Sequence, residues 1–162
     1  MTLKDVEYVK NQFNEFKLII SQCFREFTSF IDVIQNLIIE LLNESDREKI
    51  IDLVKQIEQD VKIFTITLIE KVSKTNLNQE IEIKLLRKLY HILRYIIMAT
   101  LWHVRYKFKL DELHDTIWRM DLFWSCMDRY MDNTDKVIHG DVKYDKSWVS
   151  EILNCYSRFK LL

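Results

Sequence analysis

Turn-forming residues are what this chain lacks. It contains no proline and one glycine, Gly140, in 162 residues. Glycine reaches left-handed backbone angles without a side-chain clash, and proline pre-sets the angle at which a turn begins. A sheet protein of this length needs several of each at its hairpins. The chain is therefore expected to be all-α, with few connections. At 48% apolar and 30% charged residues it can bury a core and still present a solvated surface. Residues 1–162 are expected to form a single helical domain.

Apolar spacing divides the chain. Val6, Val9, Phe13, Phe16, Ile20, Cys23, Phe27, Phe30, Ile34, Leu37 and Leu41 recur at steps of three and four. That pattern predicts one long helix over about residues 3–43. Lys10 and Lys17 narrow its early face, which suits a single partner helix. Phe24, Ile31, Val33 and Ile38 widen its later face, which suits a multi-helix core. The early part is expected to project as a partner-binding or dimerisation seam. Ser45 and Glu48 make a capping box for a second helix over about 46–73, with Ile50, Val54, Ile57, Val61, Phe64, Leu68 and Val72 on one face. Asn76 or Asn78 caps the next helix. From Leu85 a stripe through Leu89, Ile92, Ile96, Ala99, His103 and Tyr106 continues to Met131. Unbroken, it would be roughly 70 Å long, too long for a compact domain. A break is expected near "KFKLDE", with Asp111 as the cap. Tyr144 and Asp145 lead into a last helix with Val149, Ile152, Tyr156 and Phe159 inward. The sum is an up-and-down bundle of four long helices plus a short C-terminal helix.

Several function classes fall away. A formal net charge of −1 is not that of a strongly basic, nonspecific nucleic-acid binder. Cys23, Cys126 and Cys155 are widely spaced with no C-x-x-C, which reads as reduced thiols in a cytoplasmic protein. The start, "MTLKDVEYVKNQF", is not a signal peptide, and no apolar run approaches a membrane span. His91, His103 and His114 would lie about 16–18 Å apart along a helix, too far to share one metal. No H-E-x-x-H occurs, so neither a metal nor a cofactor is expected. His103 falls on the apolar seam and reads as a core histidine. Trp102, Trp118, Trp124 and Trp148 read as core too, with a stacking platform for bases as the lesser alternative.

Two features remain. Lys84, Arg87, His91 and Arg94 share a helical face, and with Arg105 they are candidates for RNA phosphate or an acidic partner. The second feature is "MDNTDKVIHGDVKYDKSWV", residues 131–149. Glycine just past the last helical residue is a common helix stop. His139 is then left in a final turn, where unpaired carbonyls suit a side chain that carries and passes a proton.

Asn133, then "VIHG", a short loop with Asp141, and an amphipathic helix bearing "WVSEIL" resemble the end of HEPN domains. The resemblance implies a helical bundle, often dimeric. Many members are metal-independent ribonucleases, some of toxin–antitoxin or defence type, and others bind RNA or nucleotides without cleaving them. It makes His139 the acid/base and Asn133 the residue that orients it or the phosphate. The family's arginine is not in place. Asp132 precedes Asn133, and the nearest upstream arginine is Arg129, nine residues short of His139. Two expectations result. One is a non-catalytic or degenerate HEPN-like module that binds a protein, RNA or a nucleotide. The other is a metal-independent ribonuclease with His139, Asn133 and Arg129 in a cleft at a two-fold interface. Both imply a homodimer or a helical partner.

Overall fold

In the computed structural model, which describes residues 3–159, the long first stripe is folded in two. Helix α1 spans Leu3–Ser21 and α2 spans Thr28–Asn43, joined by a 3-10 turn at Arg25–Phe27. Phe24 leaves helical geometry (φ −139°, ψ 70°) while its N–H still bonds the Ile20 carbonyl at 2.7 Å. The corner is made of aromatic packing. Phe24 meets Phe27, and Phe27 and Phe16 both meet Phe64 edge-on at 6.0 Å between ring centres. Burying both Phe24 and Phe27 outweighs continuing the helix, since each buried aromatic contributes on the order of 2–3 kcal/mol. As a result Val9, Phe13, Phe16 and Ile20 lie in the chain's own core. The expected continuous helix over 3–43 is thus corrected to a bent pair, and its early seam faces inward.

Helix α3, Arg47–Lys74, buries its expected stripe from Ile50 to Val72. Its cap is Asp46, one residue beyond Ser45, whose carboxylate accepts the Glu48 N–H at 3.2 Å. Glu44 accepts the N–H groups of Ser45 and Asp46. Asn78 caps α4, Gln79–His91, by accepting the Glu80 N–H at 2.9 Å. A π-helical stretch, Ile92–Ile97, then carries the rod into α5, Met98–Phe108. Lys109 takes a left-handed conformation (φ 52°), and Leu110 N–H bonds the Arg105 carbonyl, closing the helix. The break falls within "KFKLDE", but Asp111 is no cap. It opens a 3-10 turn, Asp111–Leu113, ahead of α6, His114–Ser125.

Helix α7, Asp128–Ile138, comes after a two-residue kink, and α8 spans Ser147–Arg158. Val149, Ile152 and Tyr156 point inward, whereas Phe159 is exposed. The reduced-thiol expectation fails at two of three positions: Cys126 and Cys155 form a disulfide, while Cys23 is free. The architecture is an all-α bundle, with more joints than expected, and a single buried cluster draws side chains from every helix. No helix of the described residues is long and apolar enough to cross a membrane.

Candidate functional site

The His139 corner is built as its glycine suggested. Gly140 adopts φ +79°, its N–H bonds Val137 O at 3.0 Å, and Asp141 N–H bonds Lys136 O at 2.9 Å. Those paired bonds are the usual glycine-terminated helix stop. His139 is exposed, with Nδ1 2.7 Å from the Asp135 carbonyl. Nδ1–H therefore donates to that carbonyl, and in the neutral ring Nε2 is the acceptor.

The residues grouped by the family resemblance are not brought together. Asn133 lies about 9 Å along the helix from His139, and Arg129, at the opposite end of α7, about 15 Å. Arg129 pairs loosely with Glu151 at 3.8 Å, in a cleft beside the Cys126–Cys155 disulfide. The guanidinium that reaches the His139 end is Arg87. It donates to Met131 O (3.2 Å) and Thr134 Oγ1 (2.9 Å) and pairs with the Asp135 carboxylate (2.7 Å).

The candidate cationic stripe divides. Lys84, Arg87, Lys88 and His91 line a cleft of about 640 Å³ with Ile83 and Ile138. Its cations are already paired: Lys84 with Glu80 (3.5 Å), Arg87 with Asp135, and Lys88 with Glu15 (2.7 Å) and Gln12. His91 is held below the usual histidine range, first by burial and then by Lys88. Arg94 lies outside this cleft.

A buried network went unseen in the sequence. Glu82 is 1% exposed and pairs with Lys146, which also donates to the Val72 (2.8 Å) and Thr75 (2.7 Å) carbonyls. Tyr144 donates to Glu82, and its hydroxyl meets that of Tyr130 at 3.0 Å. Burial pushes both phenols well above the ordinary tyrosine range. The signal was available: Glu82 precedes Leu85, Leu86 and Leu89 by three, four and seven, which places a carboxylate on the apolar face.

The open side of the molecule is α5. Trp102 and the 73%-exposed Tyr106 stack at 5.7 Å and 22°. The Arg105 guanidinium sits 5.2 Å over Trp102, and its nearest carboxylate, Asp111, is 4.0 Å away and almost wholly exposed. One end of this face carries Arg94, 5.2 Å from the Tyr95 ring and 4.9 Å from that of Trp124, donating to the Tyr90 hydroxyl at 2.7 Å. Lys107 and Lys109 are exposed at the other. His103, Trp102 and Trp118 are all exposed, which corrects their reading as core. Trp124 and Trp148 are half-buried against the core. For Trp102 and His103 the cause of the miss is the π-helical stretch. Its wider hydrogen-bond loop rotates the helix that continues from it, so the inward face becomes Ile97, Leu101 and Val104, and Ala99, His103 and Tyr106 turn outward.

Among the described residues no group of three histidine, cysteine or acidic side chains is placed to hold a metal ion. No protein-family model, no curated protein and no solved structure matches the chain.

Proposed function

We propose that the chain is a degenerate HEPN-like helical module that acts by binding, and that its ligand is single-stranded RNA taken on the α5 face. The observation that carries this is the exposed Trp102–Tyr106 stack under Arg105, continued by Tyr95 under Arg94. Exposed rings offer π-faces to unstacked bases, and neighbouring cations meet the phosphates, an arrangement that tolerates any sequence. The paired cations of the 640 Å³ cleft offer less, because each would have to leave a carboxylate to reach a phosphate. Net charge near zero fits a local face better than a wrapped duplex.

The test is fluorescence anisotropy with labelled RNA of roughly ten nucleotides. Wild type is expected to bind in a salt-weakened manner, and Trp102→Ala/Tyr106→Ala to lose at least about tenfold, since stacking contributes about 1–3 kcal/mol per base. Equal binding by the double variant, or no saturable binding by wild type, overturns the proposal.

One observation favours a second reading, the metal-independent ribonuclease. The His139 imidazole is oriented by the Asp135 carbonyl with Nε2 free, and Arg87 pairs with the same residue's side chain. In that reading His139 moves the proton and Arg87, in place of Arg129, faces the phosphate. RNA cleavage in EDTA that disappears in both His139→Ala and Arg87→Met would establish it. Persistent cleavage in His139→Ala, or none in wild type, would remove it.

A further inference from the structure

Beside the α5 face lies a pocket of about 270 Å³ between α1 and the π-helical stretch. We propose that this pocket takes one unstacked base of the bound strand and is where base identity is read. The inference rests on the α5 face binding RNA and adds a second, selective element to it.

Position is the first argument. Ala99 and His103 line the pocket and also belong to the outward arc of α5 that carries Trp102 and Tyr106. A strand stacked on that arc therefore passes the pocket mouth.

Chemistry is the second. Tyr8 on α1 and Tyr95 on the rod are both about half-exposed and both line the cavity. The His91 ring links them, 5.1 Å from the Tyr95 ring and with Nε2 3.4 Å from the Tyr8 hydroxyl. Val9, Ile96 and Ala99 supply apolar surface, while Thr100 and His103 supply polar atoms. Aromatic and apolar walls with a few polar groups are how planar heterocycles are held and oriented. Among the described residues no lysine or arginine lines the pocket, so these walls offer little to a phosphate. The cations stay outside, with Arg94 at Tyr95 and Arg105 at Trp102. The volume falls just below the range of roughly 300–1,000 Å³ usual for whole small ligands, which suits one ring system better than a nucleotide.

The backbone is the third. Tyr95 and Ile96 come from Ile92–Ile97, the stretch in π-helical form. Such irregularities cost hydrogen-bond geometry and recur at functional sites. Here the Thr100 hydroxyl bonds the Ile96 carbonyl at 2.7 Å, supporting the altered turn from within the pocket wall.

The experiment compares labelled oligoadenylate, oligocytidylate and oligouridylate of roughly ten nucleotides on wild type, Ala99→Phe, Tyr8→Ala and Trp102→Ala/Tyr106→Ala. Far-ultraviolet circular dichroism confirms folding; Ala99 and Tyr8 are exposed, so both variants are expected to fold. Wild type should separate the tightest from the weakest strand by at least about tenfold, the worth of one good base-edge contact set. Ala99→Phe should fill the mouth and bring all three strands within about threefold, while salt-sensitive binding on α5 persists. Tyr8→Ala should narrow the separation partly. Discrimination retained in Ala99→Phe, or no discrimination in wild type, overturns the pocket and leaves the α5 face standing. Loss of all RNA binding in wild type overturns both.

Discussion

The rod formed by α4, Ile92–Ile97 and α5 treats its charges in two ways. In α4, Glu82 is buried against Lys146 and Tyr144, Arg87 is spent on three groups of α7, and Lys88 is bound by Glu15 and Gln12. Within the π-helical stretch and α5, the guanidinium groups of Arg94 and Arg105 rest on exposed rings. A charge inside a closed network is worth most when left alone, because removing one partner strands the other. A cation lying over an exposed ring keeps much of its hydration and can engage an anion at small cost. The first half of the rod therefore closes its charges within the bundle, whereas the second half buries one face and leaves its cations and rings open on the other.

The largest effects should separate the two halves cleanly. Glu82→Ala removes the carboxylate shared by Lys146 and Tyr144, leaving Lys146 the Val72 and Thr75 carbonyls and Tyr144 the Tyr130 hydroxyl, and is expected to cost about 2 kcal/mol in urea unfolding. Its RNA affinity should be unchanged wherever the protein remains folded. Trp102→Ala should do the reverse, changing stability by no more than about 0.5 kcal/mol while weakening RNA binding. A loss of more than about 2 kcal/mol in Trp102→Ala would break the comparison, by making the Trp102 face of α5 part of the core after all. The disulfide tests the locked side further. Cys126 and Cys155 are 29 residues apart, and closing such a loop stabilises by roughly 2–4 kcal/mol. Cys155→Ser should lose that amount, a reductant should lower wild type to the same level, and Cys23→Ser should leave the protein unaffected by comparison.

What the sequence made legible was local. Missing turn residues gave the all-α class, Asn78 is one of the two asparagines that marked a helix start, Gly140 marked a helix stop, and the apolar stripe of α3 is buried as its spacing predicts. The bend at Gln22–Phe27 stayed hidden because apolar spacing continues through it, and the bend is decided by Phe64 on another helix. The π-helical stretch is a change of hydrogen bonding with no side-chain signature. Missing it inverted the reading of Trp102, His103 and Tyr106. The Cys126–Cys155 and Glu82–Lys146 pairings are non-local, so spacing alone could not supply them. At the candidate sites the imbalance is the same. The placement of His139 follows from Gly140, whereas spacing groups Arg94 and Arg105 with the α4 cations and gives no sign of the rings they lie against.

Smaller effects sharpen the comparison at its edges. Gly140 has open space where a Cβ would go, so Gly140→Ala introduces no clash. Its expected cost is that of a left-handed residue alone, about 1 kcal/mol, read as a shift in the urea midpoint at constant slope. A much larger loss would mean that this turn also anchors the Tyr144–Lys146 lock.

The smallest effect lies at His91, where the two halves of the rod meet. Burial first, and Lys88 second, hold its imidazolium form down in the folded chain, with Glu15 opposing. Tyr8, Tyr95 and Lys88 are the other groups around the ring. A histidine whose folded value is depressed binds fewer protons folded than unfolded, so stability rises with pH across the window between the two values. Above the ordinary histidine value of about 6.5 the penalty is absent, and it grows as pH falls toward the lower folded value. His91→Gln removes the titrating group and should flatten that slope. The difference in melting temperature between wild type and His91→Gln is therefore expected to be constant above neutrality and to shift in the variant's favour as pH falls below about 6.5. A shift in the opposite direction would mean that Glu15 dominates at His91. The carboxylate-paired character of α4 would then extend to the pocket wall, and the line between the closed and the open half of the rod would move from His91 to Tyr95.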